Sequence, residues 1–390
     1  MSIHDLFKVM VETEASDLYL TVGRPPMYRI DGKIQPIGNE AFKPADLEGL
    51  ASSIMNERQL REFAETLEMN MAMSLPGVSR FRMNILRQRG SVAIVIRRVK
   101  AEPATVAELG LPSILQKIVM TKRGLVLVVG ATGSGKSTSL AAMVDHRNSS
   151  EPGHIITIED PIEFVHRHKQ SIVTQREIGF DTHSFQAALK NTLRQAPDVI
   201  LIGEIRDTET MEAAITFAET GHLCLGTLHS NNANQAIERI MNFFPLERHG
   251  QIYLQLSLNL RSIVSQRLIP SLDGRRVAAL EILMDTPRIK DLIKRAEVDT
   301  LKEGMEQGVQ EGCQTFDQAL FELYKEGKIS VQQALIHADS ANNLRLKIKL
   351  AGLKGDDDPQ QAADPLNGGA QSGQPADSAK NDTAFRLQRT

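Results

Sequence analysis

The stretch Gly130-Ala131-Thr132-Gly133-Ser134-Gly135-Lys136-Ser137-Thr138 constrains this chain more than any other, because it lies between an apolar run, Leu125 to Val129, and a segment of helical composition. Strand, glycine loop and helix in that order form a phosphate-binding P-loop. The glycines let backbone N–H groups close around phosphate oxygens, and the helix that follows presents its positive end to them. Lys136 reaches the β- and γ-phosphates and Ser137 is placed to ligate a metal, so ATP and Mg²⁺ are expected. A glycine loop arising by chance would not carry both flanks.

A P-loop needs a sheet behind it, and the surrounding residues supply one. Apolar runs at Leu125–Val129, Ile155–Ile158, Val199–Ile202 and Leu223–Leu228 alternate with helix-like segments near 137–147, 184–195, 208–220 and 233–242. That grammar predicts a mostly parallel α/β sheet covered by helices over residues 113–286. Residues 1–100 read differently. Ile3, Leu6, Phe7, Met10 and Val11 share a helix face, residues 16–22 alternate as a strand, and Asp31-Gly32 reads as a hairpin turn. A helix is expected over 44–65, then two alternating strands around a Pro76-Gly77 turn, giving a small α+β domain. Residues 101–112, mixing charge, proline and small side chains, read as a linker. Segments near 287–297, 315–326 and 330–350 predict a helical subdomain over 287–350. From Ala351 to residue 390 almost no large apolar residue remains to offset the entropy of ordering, so a disordered tail is expected.

Further acidic groups are expected at the carboxyl ends of these strands. Val199–Ile202 runs into Gly203-Glu204-Ile205-Arg206-Asp207, which places Glu204 beside the P-loop, either on the Mg²⁺ shell or in a surface salt bridge with Arg206. Asp198 precedes the strand and falls at the opposite end. Glu159, Asp160 and Glu163 crowd a turn after another strand, where one carboxylate could orient an attacking water. Spacing does not select among them. His222 and His229 flank Leu223–Leu228 and point to opposite faces of that strand, so they cannot share a metal; His229 reads equally as a γ-phosphate sensor or a structural group. Arg80 and Arg82 share a strand face, with Arg97 and Arg98 ending the next strand. These are either a solvated face or arginines offered across a subunit boundary.

Composition removes several classes. Among 390 residues, 48 acidic and 45 basic side chains give a formal charge of −3, so no global positive field holds nucleic acid. Absence of Trp and 4% aromatics disfavour base stacking. The two cysteines, Cys224 and Cys313, form no ligand pair, which argues against zinc. No apolar run approaches the roughly 20 residues that span a bilayer, and a cytoplasmic location is expected.

Taken together, these motifs resemble the PilT/PilU family of type IV pilus retraction ATPases, over roughly residues 1–350. GATGSGKST at 130–138 looks like the family's Walker A, ITIEDPIEF at 156–164 its Asp box, DVILIGEIRD at 198–207 its Walker B and TGHLCLGTLHS at 220–230 its His box. The resemblance implies a PAS-like N-terminal domain, a RecA-like ATPase domain, a homo-hexamer, and work at the inner face of the cytoplasmic membrane. Implied partners are a paralogous retraction ATPase of the PilT type and an inner-membrane pilus platform protein. By the same resemblance Glu163 is the general base, Glu204 the Walker B carboxylate, His229 the nucleotide-state sensor, and Arg82 and Arg97 the arginines supplied in trans. PilT motors carry a helix close to AIRNLIRE where this chain reads Pro287-Arg-Ile-Lys-Asp-Leu-Ile-Lys294. With Ala131 and the polar tail, that departure makes the chain resemble the accessory PilU branch. Rival readings are a pilus-assembly or secretion ATPase, whose usual extra N-terminal domain and tetracysteine element are missing here, and a nucleotide-binding scaffold ring without motor activity.

Overall fold

The computed structural model describes residues 2–75, 79–99 and 102–353. The expected Pro76-Gly77 turn and nearly all of the polar tail lie outside the described residues.

The first sheet has six strands, β1 (Asp17–Leu20), β2 (Met27–Ile30), β3 (Lys33–Pro36), β4 (Glu68–Leu75), β5 (Ser79–Gln88) and β6 (Ser91–Val99), in the order β3-β2-β1-β6-β5-β4. Every neighbouring pair is antiparallel. The first helix, α1 (Ile3–Glu12), starts where Ser2 and Asp5 cap each other and buries Ile3, Leu6, Phe7 and Met10, the stripe its 3.6-residue period demands. Phe7 stacks on Phe81 of β5 with centroids 3.9 Å apart. Since β5 buries alternate residues, Phe81, Met83 and Ile85 enter this core while Arg80 and Arg82 face the other way. The single helix expected over 44–65 is instead two, α2 (Pro44–Ile54) and α3 (Glu57–Thr66). Asn56 causes the break: extended at φ −79°, ψ 170°, its side chain accepts from Gln59 N and starts a new helix.

The second sheet has seven strands: β7 (Gly124–Val129), β8 (His154–Glu159), β9 (Ile172–Glu177), β10 (Val199–Ile202), β11 (Leu223–Leu228), β12 (Leu260–Pro270) and β13 (Arg276–Met284). Their order is β13-β12-β7-β11-β10-β8-β9, parallel except for the antiparallel edge pair β12–β13. Strands β7, β10 and β11 are buried at every residue, as expected of central parallel strands covered on both faces. The covering helices include α4 (Ile114–Val119), α5 (Lys136–Ser150), α6 (Phe185–Thr192), α7 (Thr208–Glu219), α8 (Ala233–Met241) and α9 (His249–Asn259). Strands β9, β12 and β13 were not evident in the periodicity.

The C-terminal helices are α10 (Pro287–Lys294), α11 (Leu301–Gln307), α12 (Phe316–Lys325), α13 (Val331–His337) and α14 (Ala341–Leu350), so the single segment read over 330–350 is two helices. Arg267 of β12 fastens them to the sheet. Its guanidinium stacks on Phe316 at 3.7 Å, donates to His337 O at 2.7 Å and pairs with Asp339 at 2.9 Å. Among the described residues no helix is long and apolar enough to cross a membrane.

Candidate nucleotide site

The loop after β7 is built for close approach. Gly130 has φ 155°, and a Cβ there would lie 2.6 Å from Gln266 O and 2.4 Å from Ser134 Oγ, so no side chain fits. At Gly135, the N-cap of α5 with φ 89°, a Cβ would meet Gln266 Nε2 at 2.7 Å. Gln266, buried on β12, is a site residue the sequence reading missed. Its Nε2 donates to Ser134 O at 2.9 Å and its Oε1 accepts from Ser139 Oγ at 2.7 Å, clamping the loop against the first turn of α5. Lys136 Nζ donates to Gly130 O at 2.8 Å and Ala131 O at 3.0 Å. Burial lowers the Lys136 pKa, and the charges of Glu204 and Glu163 oppose that shift. Ser134 Oγ is buried without a hydrogen-bond partner, a group that a phosphate oxygen or water on this loop would satisfy.

Lys136 and Ser137 line a cavity of about 230 Å³, and Glu159, Glu163, Glu204 and His229 belong to the same wall. Three strand ends assemble that wall. Gly203 N donates to Ile158 O at 2.7 Å, and a Cβ on Gly203 would come within 3.0 Å of Glu159 Cα, so the β10 and β8 ends meet closely only with glycine there. Glu204 accepts from Arg206 Nε at 2.7 Å and lies 3.1 Å from His229 Nε2. The Arg206 salt bridge and the placement at the cavity, read as alternatives from sequence, therefore coexist.

The three clustered carboxylates part by environment. Glu159 accepts from Thr157 Oγ1 at 2.6 Å and from Gln175 Nε2 at 3.3 Å, and burial pushes its pKa up to about 7. It is thus a poor permanent anion. Asp160 is exposed, 3.8 Å from Arg206. Glu163 is exposed and reaches the cavity. His166 lines the back of the cavity, and burial lowers its pKa to about 4, so it is neutral at pH 7. Asp198 lies at the far end of the sheet, accepting from His154 N at 2.8 Å. His222 is also at that far end, beside Thr220 at 3.1 Å.

The arginines stand elsewhere. Arg82 and Arg97 are directly opposite each other on β5 and β6, a juxtaposition of like charge that would be unfavourable alone. Acidic groups on either side relieve it: Arg97 Nε donates to Asp17 at 2.8 Å, and Arg82 Nε lies 3.5 Å from Glu177. Neither arginine lines the nucleotide cavity of its own chain, and the Arg97 side chain is 68% exposed.

The model for the family described as type II/IV secretion system protein matches residues 2–347. The type IV pilus ATPase PilU of Pseudomonas aeruginosa is 54% identical over 351 residues, covering 90% of this chain and 92% of that relative. The type IV pilus retraction ATPase PilT of the same organism is 43% identical, covering 86% and 97%. A crystal structure of the pilus retraction motor PilT with bound ADP superposes with a TM-score of 0.81 at 43% identity, covering 87% of this chain and 98% of that one.

Proposed function

The chain belongs to the type II/IV secretion system protein family, within its type IV pilus ATPase branch, and from that premise we propose that it is an ATP-hydrolysing motor powering type IV pilus retraction, of the accessory PilU kind. The observation that carries this reading is the cavity that Lys136 and Ser137 of a glycine loop line together with Glu163, Glu204 and His229. Its RecA-like core and the PilT relative solved with ADP support nucleotide binding.

In the proposed reaction the N–H groups of residues 130–138 and Lys136 hold the phosphates, with the α5 N-terminus adding its positive dipole end. Ser137 and Glu204 would hold Mg²⁺, and the unpartnered Ser134 hydroxyl and the Gly130 cradle fit a phosphate-loaded loop. When bound, that ion would supply charge neutralisation at the phosphates. Glu163, the exposed carboxylate of the cavity, orients the attacking water and accepts its proton. His229 contacts Glu204, so movement at the γ-phosphate reaches β11 through it. Arg82 and Arg97 are supplied by a neighbour to neutralise transition-state charge, which makes the working form an oligomer, a hexamer by family resemblance. The further reading is a cytoplasmic ring peripheral to the inner membrane, engaging a paralogous retraction ATPase and a platform protein there.

The test is pilus retraction in cells lacking this protein, its paralogue or both, each complemented with wild type or Lys136→Ala. Retraction under load that needs wild type and not Lys136→Ala supports the motor. Equal complementation by both leaves only a scaffold.

A further inference from the structure

Glu177 ends β9, directly opposite Glu159 on β8. Its side chain is 1% exposed, yet its carboxylate meets groups from two distant parts of the chain. From the first sheet come Arg80 Nη2 at 3.1 Å and Arg82 Nε at 3.5 Å. On the side of the turn 159–163, the backbone N–H of Ile162, beside Glu163, favours the ionised carboxylate. The same turn is fastened at its start, where Ile178 N donates to Glu159 O at 2.9 Å. Among the described residues, both ion pairs that join the first sheet to the second converge on Glu177.

A carboxylate so enclosed stays ionised only while its counter-charges are seated: burial raises its pKa, and Arg80, Arg82 and the Ile162 N–H oppose the rise. If the first sheet moves away, Glu177 must take a proton or turn toward water. Either change disturbs the end of β9, where Ile178, the residue after Glu177, holds the Glu159 carbonyl at the start of the turn that carries Glu163.

We propose that Glu177 is a positioning residue through which the seating of the N-terminal sheet sets the 159–163 turn and hence the placement of Glu163. The proposal rests on the ATPase reading above. It makes hydrolysis, and not nucleotide binding, sensitive to where the first sheet sits.

The experiment uses the full, assembled chain with Mg-ATP, comparing wild type, Arg80→Ala, Glu177→Gln, the double variant and Arg80→Lys. Rates are divided by the fluorescent ATP analogue bound at saturation, so that loss of folded sites is not read as loss of kcat. Displacing a catalytic group by about 1 Å can cost up to about 10²-fold. The expected result is kcat lowered about tenfold or more in each single variant, KM changed by less than about threefold, no further loss in the double variant, and recovery in Arg80→Lys. Arg80→Gln replaces Arg80→Ala if the latter does not assemble. Single variants with wild-type kcat, or losses that multiply in the double variant, overturn the proposal while leaving the ATPase reading intact. A wild-type protein that hydrolyses nothing defeats that reading itself.

Discussion

At Lys136 the Nζ donors are spent on the carbonyls of Gly130 and Ala131, and a bound triphosphate would exchange those neutral acceptors for charged ones. Replacing Lys136 by Ala, or Glu204 by Gln, is therefore expected to lower steady-state phosphate release by about 10² or more, since fixed charges at the transferring group carry most of the rate in such sites. Release at the wild-type rate from either variant would remove them from the site. Glu159 supplies a pH-dependent counterpart. Its folded pKa of about 7 lies above the ordinary 4.5, so the folded state binds the proton more tightly. Stability from this group is complete below pH 4.5 and is lost as pH rises through about 7. Glu159→Gln should flatten that loss by on the order of 2 kcal/mol, gaining on wild type between pH 5 and 8 in urea midpoints. Parallel pH profiles would show that the Glu159 carboxyl is better solvated than its partners indicate.

At the scale of elements, β12 holds the P-loop through one buried amide. Gln266→Ala leaves Ser134 O and the Ser139 hydroxyl without their partners, at a cost of about 1–3 kcal/mol, and frees the loop beside Lys136. The expected outcome is a lowered melting temperature together with weaker binding of ATP and ADP alike, measured by titration. Unchanged affinity would mean that the glycine geometry alone shapes the loop. This clamp was invisible in the sequence, because Gln266 is 132 positions beyond Ser134, which it holds, and sits in a strand whose register nothing local announces. Strands β7, β8, β10 and β11 were legible because central parallel strands read as unbroken apolar runs. By contrast β9, Ile-Val-Thr-Gln-Arg-Glu, is an edge strand with little apolar content, and β13 carries Ala, Leu and Glu, residues equally at home in helices. Glu163, Glu204, Lys136 and Ser137 were legible as chemistry at strand ends, and the structure places all four on one cavity. Spacing selects none of Glu159, Asp160 and Glu163; the family resemblance points to Glu163, and burial, which spacing does not encode, sets Glu159 apart from the other two.

At the scale of the whole molecule, the proposed mechanism draws opposite halves of one reaction from the two sheets. The second sheet gathers the phosphate loop and the carboxylates, while the first carries Arg82 and Arg97 away from its own cavity, Arg97 largely in solvent. Among the described residues that line the cavity, Lys136 is the Lys or Arg side chain that meets the outer phosphate charge, and a neighbour's first sheet is the proposed source of another. Trans arginines contribute factors of about 10³ or more in comparable reactions. The decisive measurement is phosphate release by rings co-assembled from an Arg82→Ala/Arg97→Ala chain and a Glu163→Gln chain, each inactive alone. Sites completed between chains predict activity that appears on mixing and peaks near equal proportions, where intact Glu163 most often meets an intact arginine pair. A double-arginine ring that hydrolyses ATP at the wild-type rate, or mixed rings inert at every ratio, would contradict it.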